Sequence, residues 1–144
     1  MDKKIMTGFA GDVSVEETWA TLKENPEAVL VDVRTDAEWS FVGVPDLRAL
    51  GKAPVLISWQ LYPAMQVNNQ FVDMMEQQGI LKSAPVYFLC RSGVRSRAAA
   101  EKAAAAGYQA CYNIAGGFEG DRDGNNHRGR VNGWKAADLP WIQK

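Results

Sequence analysis

Short runs of apolar residues alternate along the chain with segments whose apolar positions recur at helical spacing. Ser14-Val15-Glu16-Glu17 reads as a capping box opening a helix, with Val15, Trp19 and Leu22 on one face. Asn25-Pro26 ends that helix, and Val29-Leu30-Val31 follows as a run of strand formers. Thr35 to Glu38 reads as a second capping box, opening a short helix that carries Trp39 and Phe41. Val55-Leu56-Ile57, after Pro54, is another strand-like run. Asn69 to Gln78 predicts a helix with Phe71, Val72 and Met75 inward and Gly79 as its stop. Val86-Tyr87-Phe88-Leu89 is the next apolar run. An Ala-rich helix is expected from about Val94 to Ala106, ended by Gly107, and Ala110-Cys111-Tyr112 reads as the last strand. Short helical pieces are expected near Gly117 and near Trp134. Gly120 to Gly133, rich in Gly, Asn, Asp and Arg, reads as a long polar loop.

The strand runs are continuous instead of alternating, which indicates strands covered on both faces. The expected architecture is a single α/β domain over residues 1–144, with its core in 13–141. It has a central parallel sheet of about five strands flanked by helices on both sides. Ligands of such sheets sit beyond the carboxyl ends of the strands, so chemistry is sought just after Val31, Ile57, Leu89 and Tyr112.

Composition narrows the function. With 144 residues, 47% hydrophobic and 23% charged, the chain can bury a core without staples and is neither disordered, collagen-like nor coiled coil. A net charge of -1 gives no global attraction for nucleic acid or an anionic membrane surface. Two cysteines and one histidine argue against a Cys/His zinc cage. No signal-peptide core follows Lys3 and Lys4, and no stretch approaches the roughly 20 apolar residues of a membrane span. A soluble, cytoplasmic protein is expected, with Cys90 and Cys111 reduced and unpaired.

The segment richest in chemistry is Cys90-Arg91-Ser92-Gly93-Val94-Arg95-Ser96-Arg97. A strand feeds a tight loop, and the loop feeds a helix. Loop amides can converge as an anion nest, and the helix N-terminus adds partial positive charge. Arg91, Arg95 and Arg97 add full charges, and Gly93 permits the tight turn. A cysteine at the head of this loop should be held as thiolate. The bland alternative, a buried structural cysteine, does not account for the Arg, Ser and Gly residues around it.

These residues resemble the active-site loop of the rhodanese-like sulfurtransferases in their single-domain form. Leu30-Val31-Asp32-Val33-Arg34, with Glu38, resembles that family's first block. Tyr112-Asn113-Ile114-Ala115-Gly116-Gly117-Phe118 resembles the strand and turn after the active-site helix, and Trp134 with Leu139-Pro140-Trp141 its C-terminal end. The chain departs from the family's usual Gly-His-Ile segment, having Val42-Gly43-Val44-Pro45 and a longer stretch to Pro54. The resemblance implies Cys90 as nucleophile and Arg91, Ser92, Gly93, Val94, Arg95 and Ser96 as the substrate-binding loop. It implies transfer of a sulfane sulfur from a small donor, thiosulfate or a persulfide, to a thiol or cyanide, with no metal or organic cofactor; the near-neutral charge adds the expectation of no nucleic acid or membrane partner. Loop amides from Arg91 to Ser96 would cradle the persulfide, and Arg91 and Arg95 would steer the anionic donor. Cys-x4-Arg suits the small sulfur atom, whereas the related phosphatases have Cys-x5-Arg, and here Ser96 holds that position.

Two other classes stay open on the residues alone: a rhodanese-like module that binds a partner or carries persulfide without turnover, and a sensor whose Cys90 thiolate is oxidised by peroxide. Asp32 is expected to bond backbone at its strand end, with the option of lining the pocket, and Arg34 to pair with Glu38. Cys111 reads as a structural thiol, His127 as solvated, and the five Trp residues as packing, with Trp59 near the pocket. Asp121 to Asn132 lacks the Gly and Glu of a calcium loop, and is expected instead as a mobile rim of the site.

Overall fold

The computed structural model describes residues 8–143. Elements follow in the order β1 (Phe9–Val13), α1 (Val15–Glu24), β2 (Val29–Asp32), α2 (Asp36–Phe41), β3 (Val44–Pro45), a 3-10 turn (Arg48–Leu50) and β4 (Val55–Leu56). Then come β5 (Gln60–Leu61), β6 (Gln66–Val67), α3 (Phe71–Gln77), β7 (Pro85–Leu89), α4 (Val94–Ala105), β8 (Ala110–Ile114) and β9 (Trp141–Ile142). Five strands form one sheet in the order β1-β8-β7-β2-β4, and every neighbouring pair is parallel. β3 pairs with β9, and β5 with β6, as short antiparallel ribbons.

The continuous apolar runs have the expected cause. In β7, Val86 and Phe88 join one core with Phe71, Met75, Ala99 and Ala103, while Tyr87 and Leu89 join the other with Val15, Leu22, Phe118 and Trp134. Helices α3 and α4 therefore cover one face, and α1 with the C-terminal turns covers the other. Both capping boxes form: Ser14 Oγ accepts from the Glu17 N–H while Glu17 accepts from the Ser14 N–H, and Thr35 with Glu38 repeats the exchange.

Three expectations need correction. The segments near Gly117 and Trp134 are turns, not helices. Gly116 and Gly117 take φ of 86° and 63°, and Asp138 takes 62°, left-handed conformations that no right-handed helix can include. The helix expected from Asn69 starts at Phe71, because Asn68 Oδ1 accepts the Gln70 N–H and holds the chain in a turn first. Two features went unread. β1 is an edge strand interrupted by Gly11, and its residues alternate between half-buried and exposed. The β5–β6 ribbon is too short and too exposed to leave a pattern.

Sheet order places the site. The connection after β2 runs outward to β4, whereas the connection after β7 runs the opposite way to β8. β2 and β7 are neighbours, so the chain diverges between their carboxyl ends and leaves a crevice there.

Candidate active site

Cys90 follows β7 directly, at that crevice. Its sulfur accepts a hydrogen bond from the Gly93 N–H at 3.1 Å and lies 3.2 Å from Ser96 Oγ. Gly93 is the N-cap of α4 with φ of 117°, a conformation that side chains rarely adopt. The loop thus turns back so that one amide and one hydroxyl reach the sulfur. The Gly93 amide donates to the sulfur, and the Ser96 hydroxyl can donate to it or accept from it. Cys90 is 1% exposed, and Ser96 is buried beside it.

The loop is braced from behind. The Phe118 N–H donates to Cys90 O at 2.8 Å, and the Glu119 and Gly120 N–H groups donate to Arg91 O. A Cβ on Gly117 would lie 2.5 Å from Cys90 O and 2.6 Å from Arg91 O, so only glycine allows this approach.

The segment after β2 forms the facing wall, with ion pairs that differ from expectation. Arg34 does not pair with Glu38. It grips Asp32, Nε to Oδ1 at 2.9 Å and Nη2 to Oδ2 at 2.7 Å, with both side chains fully buried. Arg34 Nη2 also donates to Gly43 O, and its guanidinium lies 4.3 Å from the centre of the Phe118 ring. Asp32 does bond backbone as expected, accepting the Arg34 N–H. It is sealed in and is not among the residues lining the cleft beside the loop. Glu38 instead receives Arg95 in a bidentate pair at 2.7 and 3.0 Å. Burial pushes the Glu38 carboxyl up, but hydrogen bonds from Arg95 and from the Thr35 N–H, with the charges of Arg95 and Arg34, outweigh it and hold it at about 2. The same hydrogen bond raises Arg95 further above its ordinary range.

A cleft of ≈ 510 Å³ opens beside the loop, lined among others by Glu38, Tyr62, Met65, Arg91, Arg95 and Glu119. Cys90 lies beneath it and is not part of its lining. Arg91 is exposed, and its guanidinium makes no hydrogen bond or ion pair among the described residues. Arg95 is already matched by Glu38, so of the two arginines expected to steer a donor only Arg91 offers uncompensated charge. Arg97 points away to Asp12 and Glu101. Ser92 is partly buried at the loop's tip, and Val94 is exposed on the first turn of α4.

Residues 10–144 match the family model of the STR4 middle domain. The chain belongs to that family. An uncharacterized protein of Rickettsia conorii is 41% identical over 120 residues, covering 83% of this chain and 87% of its own. The chloroplast rhodanese-like domain-containing protein 4 of Arabidopsis thaliana is 27% identical over 137 residues, which is 92% of this chain and 26% of that protein. Rv0390 of M. tuberculosis, a crystal structure, matches with a TM-score of 0.84 at 47% identity, over 94% of this chain and 99% of that one. The polysulfide-sulfur transferase homodimer of Wolinella succinogenes shares the fold alone, with a TM-score of 0.62 at 19% identity over 99% of this chain and 84% of that one. The fold of this STR4 middle domain is rhodanese-like.

Several residues outside the loop take other places in the STR4 middle domain. Cys111 is buried in β8, its sulfur 3.8 Å from Tyr108 O, and burial pushes its thiol up to about 12. Trp59 is half-buried and packs edge-on against Phe71 at 5.3 Å, on the margin of the core, and is not among the residues lining the cleft. His127 is exposed. The polar loop does not rim the Cys90 cleft. Its residues Arg130 to Gly133 border a different pocket, beside Asp12 and the start of α1. Sequence reasoning missed the bracing role of Gly117 and the bonds of Asn113, whose amide joins Ser96 Oγ and Asp12 Oδ1. The available signal for Asn113 was a lone amide in an otherwise apolar strand, which must find partners when buried.

Proposed function

We propose that this protein is a sulfurtransferase that carries sulfane sulfur as a persulfide on Cys90. The observation that carries the reading is the paired approach of the Gly93 N–H and Ser96 Oγ to Cys90 Sγ, at the crevice between β2 and β7. An amide and a hydroxyl able to donate to the sulfur stabilise the thiolate once it forms as nucleophile.

The Cys90 thiolate attacks the outer sulfur of a donor such as thiosulfate. The donor's S–S bond breaks and sulfite departs with the bonding pair, leaving a Cys90 persulfide. An acceptor, cyanide in the assay or a thiol in the cell, attacks the outer sulfur and the thiolate returns. No electron donor, metal or organic cofactor enters the balance, and the kinetics are ping-pong. The loop from Arg91 to Ser96 holds the persulfide, and Arg91 meets the anionic donor in the cleft. Polysulfide, on which the Wolinella protein of the same fold acts by its name, is a second donor to supply.

The test is cyanide-dependent thiocyanate formation, with intact-mass analysis of protein treated with thiosulfate or polysulfide. One added sulfur on the wild type, and turnover that disappears in Cys90→Ala, would support the reading. Absence of both with either donor would overturn it and leave the binding-module and peroxide-sensor readings.

A further inference from the structure

Ser96 has one hydroxyl proton and two neighbours that want it. Its Oγ lies 3.2 Å from Cys90 Sγ and 2.5 Å from Asn113 Oδ1. A serine hydroxyl donates once, so it can satisfy only one of them fully. The orientation of the Asn113 amide is fixed from the other side. Its Nδ2 donates to Asp12 Oδ1 at 3.0 Å, which turns Oδ1 toward Ser96. Ser96 is fully buried and Asn113 nearly so, and thus water cannot substitute freely for a missing partner.

We propose that Asn113 is a positioning residue that acts on Cys90 through Ser96, by competing for the serine proton. With Cys90 protonated, the thiol donates to Ser96 Oγ and the hydroxyl donates to Asn113 Oδ1, so every proton has an acceptor. When the thiol releases its proton to solvent, the hydroxyl must swing to the sulfur. Asn113 Oδ1 is then left facing an oxygen with no proton between them. Asn113 therefore opposes formation of the bare thiolate and favours a resting thiol that ionises as a donor arrives. This inference rests on Cys90 being the reactive thiol of the proposed function.

The charged groups around this chain of contacts are Asp12 on β1, Arg97 on α4 (which reaches Asp12 at 3.7 Å), and Arg95 on α4 with its partner Glu38 on α2. Arg91 in the loop, Glu119 after β8, and Asp32 at the end of β2 with its partner Arg34 also face it. All but the Asp12 contact act on the sulfur by charge alone. Only Ser96 joins Asn113 to the sulfur by hydrogen bonds.

The test is the rate of Cys90 carbamidomethylation by iodoacetamide across pH, read by peptide mass spectrometry, in Asn113→Leu, Ser96→Ala and the double variant. In Asn113→Leu the hydroxyl is released to the sulfur. The profile is expected to move to lower pH by about one unit, and the rate below the inflection to rise about tenfold. In the Ser96→Ala background, Asn113→Leu is expected to change nothing. A profile that stays in place or moves to higher pH in Asn113→Leu overturns the proposal, as does an equal shift with Ser96 absent. If Asn113→Leu fails to fold, Asn113→Ala removes the same acceptor. Sulfur loading of the same variants separates the two readings: a shifted alkylation profile without loading sinks the transfer function alone, and loading with an unmoved profile sinks the role of Asn113 alone.

Discussion

Arg95 of the cysteine loop and Glu38 of the second capping box, 57 residues apart, close a bidentate ion pair across the crevice. The same carboxylate caps α2 through the Thr35 N–H. One side chain thus ends a helix, neutralises a loop arginine and ties the wall after β2 to the loop after β7. With side chains only 17% and 20% exposed, the pair is well screened from solvent.

Acid should release this tie. The Glu38 carboxyl is lowered from 4.5 to about 2 on folding, so its contribution is present above the unfolded value and is lost as pH falls from about 5 toward 2. A shift of that size is worth at most about 3 kcal/mol, and the pair's partial exposure to solvent reduces it. Urea unfolding of the wild type should show a stability drop over this window. Glu38→Gln should lie about 2 kcal/mol below the wild type at neutral pH and show a shallower drop in acid. Parallel curves for the two proteins would show that Glu38 does not set the acid sensitivity.

Arg91 and Arg95 should separate in kinetics although both border the cleft. Arg91 carries charge that no neighbour compensates, so Arg91→Ala should keep its melting temperature. Its KM for thiosulfate should rise about threefold to tenfold, and the salt dependence of kcat/KM should weaken. Arg95→Ala should instead lose stability, because it leaves Glu38 half-buried without its cation. Equal effects of the two substitutions on melting temperature would contradict this division.

Gly117 should tolerate no side chain. A methyl group there meets Cys90 O and Arg91 O at 2.5 and 2.6 Å, and the backbone holds φ of 63°. Gly117→Ala should cost about 2–4 kcal/mol and displace the cysteine loop. Gly51→Ala is the control, since φ is 70° there and a Cβ meets nothing within 4 Å. Thermal melts and iodoacetamide labelling of Cys90 would read both changes. A Gly117→Ala protein as stable and as reactive as Gly51→Ala would remove the bracing role.

What could be read from the sequence was local. The two capping boxes span four residues each and form as written. The cysteine loop is contiguous, and its strand and helix flanks fall where the apolar pattern puts them. What could not be read was the choice between partners. Arg34 has acids within reach on both sides in sequence, Asp32 and Glu38, and spacing alone does not decide between them. The fold decides, because Arg34 turns into the sealed space under Phe118 while Glu38 turns outward to an arginine in the first turn of α4. The left-handed turn at Gly116-Gly117 was hidden for a similar reason: its shape follows from fitting against the Cys90 backbone, a contact distant in sequence. β1 gains its strand character only by pairing with β8.

That last pairing has a consequence for the newly made chain. β1 lies among the first described residues, yet its partner β8 begins at Ala110, and the turn that braces the cysteine loop lies later still. Such contacts must wait until the chain past Gly120 has left the ribosome, since closure of so long a loop cannot precede synthesis of its far end. Cys90 is therefore translated well before its anchoring turn exists. During that interval the cysteine loop lacks the bracing bonds that the Phe118, Glu119 and Gly120 amides give it in the fold.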